Sequence, residues 1–240
     1  MDTIKIGSFN LRNHYWDKNW DGNDFPEQLA NFIKINNIAL LGTQELVKKY
    51  SYKLQKELGK PYTISGKYRY GKIPFIDQFN ESNAIITNNK IINTETKHLA
   101  TIPFIDHLSP IPRIMTSVET PEHFMINTHI EFLNKTSQKH QLKLLYNYIK
   151  ENKEKSPIIT GDFNMDTTKD YFIEFIKELQ KLGINYVENS IPTYPTKEQV
   201  LDHIFISKNY EIQNVEVIRN KPINQISDHH PIIVKVRKRY

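Results

Sequence analysis

The stretch Pro157-Ile-Ile-Thr-Gly-Asp-Phe-Asn164 decides how this chain is to be read. Its first half is a short apolar run that suits a buried strand, and its second half turns abruptly to carboxylate and amide side chains. Alone, an Asp-x-Asn after a strand is more often a turn or a helix cap than a catalytic pair. The same punctuation recurs, however, at Ser8-Phe9-Asn10, Thr43-Gln44-Glu45, Asn127-Thr128-His129 and Leu201-Asp202-His203, each after an apolar run. A further cluster, Ser227-Asp228-His229-His230, stands immediately before the last run. If the strand ends converge on one edge, these side chains meet in one cleft, where rigid elements can place catalytic groups accurately.

Working outward, Ile4, Ile6 and Ser8 alternate with Lys5 and Gly7, which predicts a strand ending at Asn10. A helix is expected from Asp24 or Pro26, with Leu29, Phe32 and Ile33 on one face, fading at Asn36-Asn37. Ile38 to Thr43 reads as a buried strand with Glu45 just past its end, and Val47, Tyr50, Leu54 and Leu58 have helical spacing up to Gly59. Ile114, Thr116 and Val118 alternate, and His123 to His129 predicts a hairpin partner turning at Pro121-Glu122. Leu142, Leu145 and Ile149 mark a helix. Thr167 and Asp170 have capping-box spacing ahead of a helix through Phe172, Phe175, Ile176 and Leu179, stopping at Gly183. Ile204 to Ser207, Val215 to Ile218 and Ile232 to Val236 supply the last strands. Strands interspersed with helices imply an α/β protein of layered sheets and helices. No linker or low-complexity tract divides residues 1–240, so a single domain is expected. The string Ile-Pro-Phe-Ile-Asp occurs at 73–77 and again at 102–106, with nothing alike around the copies, and is read as coincidence.

Composition narrows the chemistry. There are no cysteines, which excludes disulfide scaffolds, thiolate metal sites and cysteine nucleophiles. No apolar run is long enough to read as a membrane span. The start MDTIKIGSFN lacks the basic and apolar regions of a signal peptide, so a cytoplasmic location is expected. The net charge of +5 suits an anionic partner, but the charges are scattered and only Lys235, Arg237, Lys238 and Arg239 cluster. The clustered side chains fit phosphoester hydrolysis. Glu45 and Asp228 could supply carboxylate oxygens to Mg²⁺, with Asn10 as a neutral oxygen ligand. Asp162 with Asn164 could orient a water and take its proton, and a histidine held by a carboxylate can donate to the phosphoryl group.

These motifs, in this order, resemble the endonuclease/exonuclease/phosphatase superfamily, from Ile6 to Val234. Ser-Phe-Asn-Leu-Arg at 8–12 is similar to the family's first strand, and Leu-Gly-Thr-Gln-Glu at 41–45 to its metal-binding Gln-Glu. Gly-Asp-Phe-Asn at 161–164, Leu-Asp-His-Ile-Phe at 201–205 and Ser-Asp-His-His-Pro at 227–231 are the most specific matches. The resemblance implies a four-layer α-β-β-α sandwich of two packed mixed β-sheets flanked by helices. It implies Glu45 as principal metal ligand beside Asn10 and Asp228, with Mg²⁺ as the cofactor and Mn²⁺ as a substitute. It implies Asp162 and Asn164 positioning water and phosphate, His229 as catalytic histidine oriented by Asp202, and His129 as a second histidine facing the phosphate. It further implies Glu81 as the partner of His129 and Arg113 as an arginine near the scissile phosphate.

Abasic-site enzymes of the family usually carry tyrosine where this chain has His129, so the resemblance points toward the deoxyribonuclease, sphingomyelinase and phosphatase branches. The expected activity is that of a monomeric metal-dependent phosphodiester hydrolase, with nucleic acid the first substrate. The alternative is a phosphatase or phosphodiesterase acting on a phosphorylated lipid head group or small metabolite. A catalytically dead binding module is the rival from another class, and completeness of the polar set argues against it. Trp16 and Trp20 could stack on bases, enter a lipid interface or pack against the domain.

Overall fold

The structure, a computed structural model, describes residues 3–13, 25–71, 80–100 and 111–239. Trp16, Trp20, Asp24 and both copies of Ile-Pro-Phe-Ile-Asp lie outside these residues. In chain order the elements are β1 (Thr3–Asn10), α1 (Phe25–Ile35), β2 (Ile38–Val47), α2 (Lys48–Leu58), β3 (Thr63–Ser65) and β4 (Glu81–Thr87). Then follow β5 (Asn93–His98), β6 (Ile114–Glu119), β7 (Phe124–His129), α3 (Lys135–Glu151), β8 (Pro157–Asp162) and α4 (Asp170–Lys181). The chain ends with β9 (Ile184–Tyr186), β10 (Asp202–Ser207), β11 (Tyr210–Val217) and β12 (Ile232–Lys238). One sheet has the order β11-β12-β1-β2-β4-β3 and the other β5-β6-β7-β8-β10-β9. Both are mixed, since β1–β2 and β7–β8 pair in parallel while the other neighbours are antiparallel.

The continuous apolar runs have a direct explanation, because successive side chains on a strand point to opposite faces and here both faces are covered. Leu40, Met125 and Ile158 join Ile6, Ile85, Ile204 and Val234 in the core between the sheets. Their neighbours point the other way. Leu41 packs with Leu29 and Ile33 of α1 and Leu54 and Leu58 of α2. Ile126 and Ile159 pack with Leu142, Leu145 and Ile149 of α3 and Phe172, Phe175 and Leu179 of α4. The result is the helix–sheet–sheet–helix sandwich that the family resemblance implied. No helix among the described residues is long and apolar enough to cross a membrane.

Three local readings change. The helix that was to open with a Thr167–Asp170 capping box begins at Asp170, after an N-cap Lys169 that makes no side-chain cap. The polar residues there fold into a turn instead, in which Asp166 Oδ1 accepts the Thr168 backbone N–H at 3.0 Å. Glu45 lies inside β2 rather than past its end, at a register shift between Thr43 and Leu46. The strands β4 and β5 interleave polar residues, which hid them from a periodicity reading.

The two sheets meet closely at Gly42. A Cβ there would lie 2.2 Å from Thr160 Oγ1 and 2.6 Å from Asn127 Oδ1, both on the facing sheet. Gly42→Ala is therefore expected to cost about 1–3 kcal/mol of stability through overpacking, read as a lower urea midpoint. An unchanged midpoint would show that the gap is not tight.

His203 is a structural residue. Its ring is buried against Phe163, Phe172 and Tyr186, with Nε2 at 2.7 Å from the Met165 carbonyl and Nδ1 at 3.0 Å from the Tyr186 hydroxyl. Burial pushes its pKa down to about 4. Because the unfolded chain takes up this proton first, stability falls as pH drops from about 6.5 toward about 4. Between pH 7 and pH 5 the loss from this residue is on the order of 2 kcal/mol. Denaturant titrations of the wild type and His203→Gln at both pH values should differ by that amount, and equal pH dependence would contradict it.

Candidate active site

The ends of the central strands bring the expected residues to one edge. His129, Asp162 and Asp202 occupy adjacent register positions on β7, β8 and β10. On the facing sheet Asn10 pairs with Gln44, and Glu45 follows. A cleft of about 880 Å³ opens over this edge, lined by Asn10, Glu45, Glu81, Arg113, His129, Asp162, Asn164, Asp228 and His229. Asp202 is fully buried behind His229.

Backbone strain aims two of these groups. Glu45 has φ +60° and Asn164 φ +51°, in the left-handed region. Asn tolerates that conformation, whereas for Glu it costs energy that the bulged strand must supply. The bulge turns the Glu45 carboxylate to the cleft, where Oε2 accepts the Asn13 N–H at 2.6 Å and Oε1 faces Asn10 Nδ2 at 3.3 Å. Asn10 Nδ2 also donates to Asp162 Oδ2 at 2.9 Å, so one amide links carboxylates from both sheets. Asn164 donates its backbone N–H to Asp162 Oδ1 at 2.8 Å and its side-chain amide to the Ile130 carbonyl at 2.9 Å.

The two histidines are in opposite states. His229 Nδ1 lies 2.7 Å from Asp202 Oδ2. Burial works against its charge, but Asp202, then Asp162 and Asp228, outweigh it and lift its pKa to about 10, so it is an imidazolium. Its Nε2 points toward Asp162 Oδ2 at 3.8 Å. His129 lies between Glu45 Oε1 at 3.9 Å and Asp162 Oδ2 at 3.7 Å. Burial, then the charges of Arg113, Arg69 and His229, push its pKa well below the usual value, so it is neutral. Burial and the nearby Asp202 raise Asp162 to about 7, poised to gain or lose a proton. Burial and Glu81 raise Glu45 as well.

Glu81 and Arg113 are in the cleft wall, but Glu81 does not hold His129. Its oxygens take Asn13 Nδ2 at 2.5 Å and Arg69 Nη2 at 2.7 Å, while His129 Nδ1 has no hydrogen-bond partner among the described residues. The bridge between Tyr68 and Ser82 sets Arg69 beside Glu81, which explains the different pairing. Arg113 is buried with Nε 3.7 Å from Glu131 Oε2, and burial and Arg69 lower its pKa. Asp228 lies 3.8 Å from Arg12 Nε.

Sequence reading missed several supports. Ser227 Oγ donates to the Asn10 carbonyl at 2.7 Å and accepts the His229 N–H at 3.0 Å, tying the histidine loop to β1. Thr193 Oγ1 accepts the Asp202 N–H at 3.0 Å, and the Tyr194 ring lies 4.9 Å from that of His229. Ser227 stood inside a quoted motif and could have been found there. Thr193, Tyr194 and Arg69 sit in loops with no local signal.

Asp162, Asp202 and His229 each bring a donor atom within 4.8 Å of the others, a spacing a cation could bridge. The protonated His229, with Nδ1 committed to Asp202, suits a proton-handling pair better than a metal ligand.

Comparison with known proteins bears on the fold. Residues 125–233 match a family model described as endonuclease-reverse transcriptase. No curated protein matches the sequence. Among solved structures, an endonuclease/exonuclease/phosphatase protein from Bacteroides vulgatus superposes with TM-score 0.83 at 18% identity, covering 99% of this chain and 100% of that one. A mannosyl-6-phosphatase from Bacteroides thetaiotaomicron gives 0.79 at 20% identity, covering 98% and 99%. The D. rerio TDP2 complexed with single-strand DNA product gives 0.73 at 17% identity, covering 99% and 100%. The fold is that of the endonuclease/exonuclease/phosphatase superfamily.

Replacing Asp202 by Asn should remove the main support of the imidazolium while burial remains. The titration of His229, followed by imidazole ¹⁵N resonances, is expected to fall from about 10 to 6.5 or below. An unshifted titration would remove Asp202 from that role.

Proposed function

We infer that this chain, with the fold of the endonuclease/exonuclease/phosphatase superfamily and a partial match to an endonuclease model of that group, is a divalent-metal-dependent phosphodiester hydrolase. Residues 1–240 are taken as one domain acting as a monomer. The observation that carries the reading is the geometry of the cleft floor, where His229, held by Asp202 at 2.7 Å, directs Nε2 toward Asp162 Oδ2 at 3.8 Å while Asn10 reaches the same carboxylate from the facing sheet.

The donor set fits a hard cation. Glu45 is a half-buried carboxylate beside the like-charged Glu81, an arrangement that a divalent ion relieves. Glu45, Asn10 and Asp228 would hold Mg²⁺, or Mn²⁺ in its place, through oxygen atoms. When bound, the ion offsets charge on the phosphate and the leaving oxygen. Asp162, fixed by Asn10 and the Asn164 backbone, orients a water and accepts its proton. His229, aligned by Asp202, presents a charged N–H to the phosphoryl group as negative charge accumulates there. The neutral His129, beside Asp162, and the Arg113 guanidinium also line the cleft and can hold phosphoryl oxygens.

Nucleic acid is the first substrate we propose. The second reading is a phosphatase or phosphodiesterase acting on a lipid head group or small metabolite, and it is favoured by the likeness to the mannosyl-6-phosphatase. A plasmid-nicking assay with Mg²⁺ and Mn²⁺ separates them, because a phosphatase leaves supercoiled DNA intact. His229→Ala and Asp162→Asn should each lower hydrolysis of a generic phosphodiester by about a thousandfold or more. Chelation should abolish it. Wild-type rates in either variant, or in excess chelator, would refute the mechanism.

A further inference from the structure

Seven large apolar side chains among the described residues are more than a third exposed, and of these only Phe132 and Leu133 line the cleft. They sit three and four residues past His129, on the turn that leads from β7 to α3. That turn is held firmly. The fully buried Glu131 carboxylate accepts the Phe132 and Leu133 backbone N–H groups at 2.8 and 3.0 Å. Gln138 Nε2 donates to the Glu131 carbonyl at 2.8 Å, and Asn134 Oδ1 caps α3 through Thr136 and Ser137 at 2.9 and 3.1 Å. So rigid a base holds the two apolar side chains partly in water at the mouth of the cleft.

The surroundings give the pair a direction. The Arg113 guanidinium lies 5.8 Å from the Phe132 ring centroid, so this ring stands beside the buried cation of the cleft wall. Lys135, Lys169 and Lys197 also line the cleft and add positive charge. A flat apolar face bordered by cations suits a ligand that joins an anionic group to a planar ring, because stacking and charge pairing are then satisfied together. Resting on the phosphoester-hydrolase reading, we propose that Phe132, backed by Leu133, is a specificity residue that stacks on a planar aromatic ring carried by the phosphoester, whether an aryl group or a nucleobase. Such a platform favours ring-bearing esters over those of small alcohols, without taking part in the chemistry.

The test is calorimetric binding of phenyl phosphate, a nucleoside monophosphate, hexyl phosphate and methyl phosphate to the intact protein with Mg²⁺. Wild type should bind phenyl phosphate more tightly than methyl phosphate. Phe132→Ala should weaken phenyl phosphate by roughly tenfold and leave methyl phosphate unchanged, with Phe132→Tyr restoring the difference. The nucleoside monophosphate arm distinguishes a base from a simple aryl group as the ring's source. Equal loss for hexyl and phenyl phosphate would replace stacking by general apolar contact and overturn the proposal, as would equal affinity of wild type for phenyl and methyl phosphate. A wild type that binds phenyl phosphate selectively but cleaves neither plasmid DNA nor a generic phosphodiester overturns the hydrolase reading and leaves the platform standing.

Discussion

The Asn127 side chain, buried where the sheets touch, is the contact on which the rest depends. Its Oδ1 accepts Gln44 Nε2 at 2.6 Å and Thr160 Oγ1 at 3.2 Å, and its Nδ2 donates to the Thr43 and Ala84 carbonyls at 2.8 and 3.0 Å. Gln44 continues the chain of bonds to Ser8 Oγ at 3.2 Å. This small polar cluster fixes β1, β2 and β4 of one sheet against β7 and β8 of the other. An apolar core alone is tolerant of sliding, whereas directional bonds between buried polar groups permit one register. The absence of a side chain at Gly42 is what lets the sheets come close enough for it.

Four of the catalytic candidates are a short step from that lock. Asn10 lies two residues beyond Ser8, Glu45 one beyond Gln44, His129 two beyond Asn127 and Asp162 two beyond Thr160. The distances among these four are thus set by strand pairing, whereas Asp228 and His229 are carried by the loop that Ser227 ties to β1. The Asn10 amide, reaching Asp162 on the facing sheet, is the first bond on the open side of the lock. Bringing several carboxylates into a buried edge raises the pKa of Glu45 and Asp162, and the opposing imidazolium and guanidinium groups make the arrangement tolerable. The electrostatic tension follows from the geometry, and it is what a phosphate with a divalent ion would relieve.

Much of this was legible before folding. Buried strands announced themselves as apolar runs because both sheet faces are covered, and the polar clusters at strand boundaries named Asn10, Glu45, His129, Asp162, Asn164, Asp228 and His229 in the cleft lining. Glu81 shows where legibility stopped. The resemblance made it the partner of His129, but in the structure it meets Arg69, which arrives from a loop, and no local pattern records that encounter. The same holds for Thr193, which braces Asp202 from a segment without periodicity. Thr167 and Asp170 failed differently, since Asp166 made a turn with Thr168 that competes with capping.

The amino-acid order by itself determined the layers and the list of reactive groups, because side-chain alternation and strand-end chemistry are local properties. What only the tertiary structure decided is the state of those groups. The same residue type became an imidazolium at His229 and a neutral ring at His129, since one meets Asp202 at 2.7 Å and the other meets burial and arginines. Protonation answers to the sum of nearby charges and lost water, and those neighbours come from elements far apart in the chain.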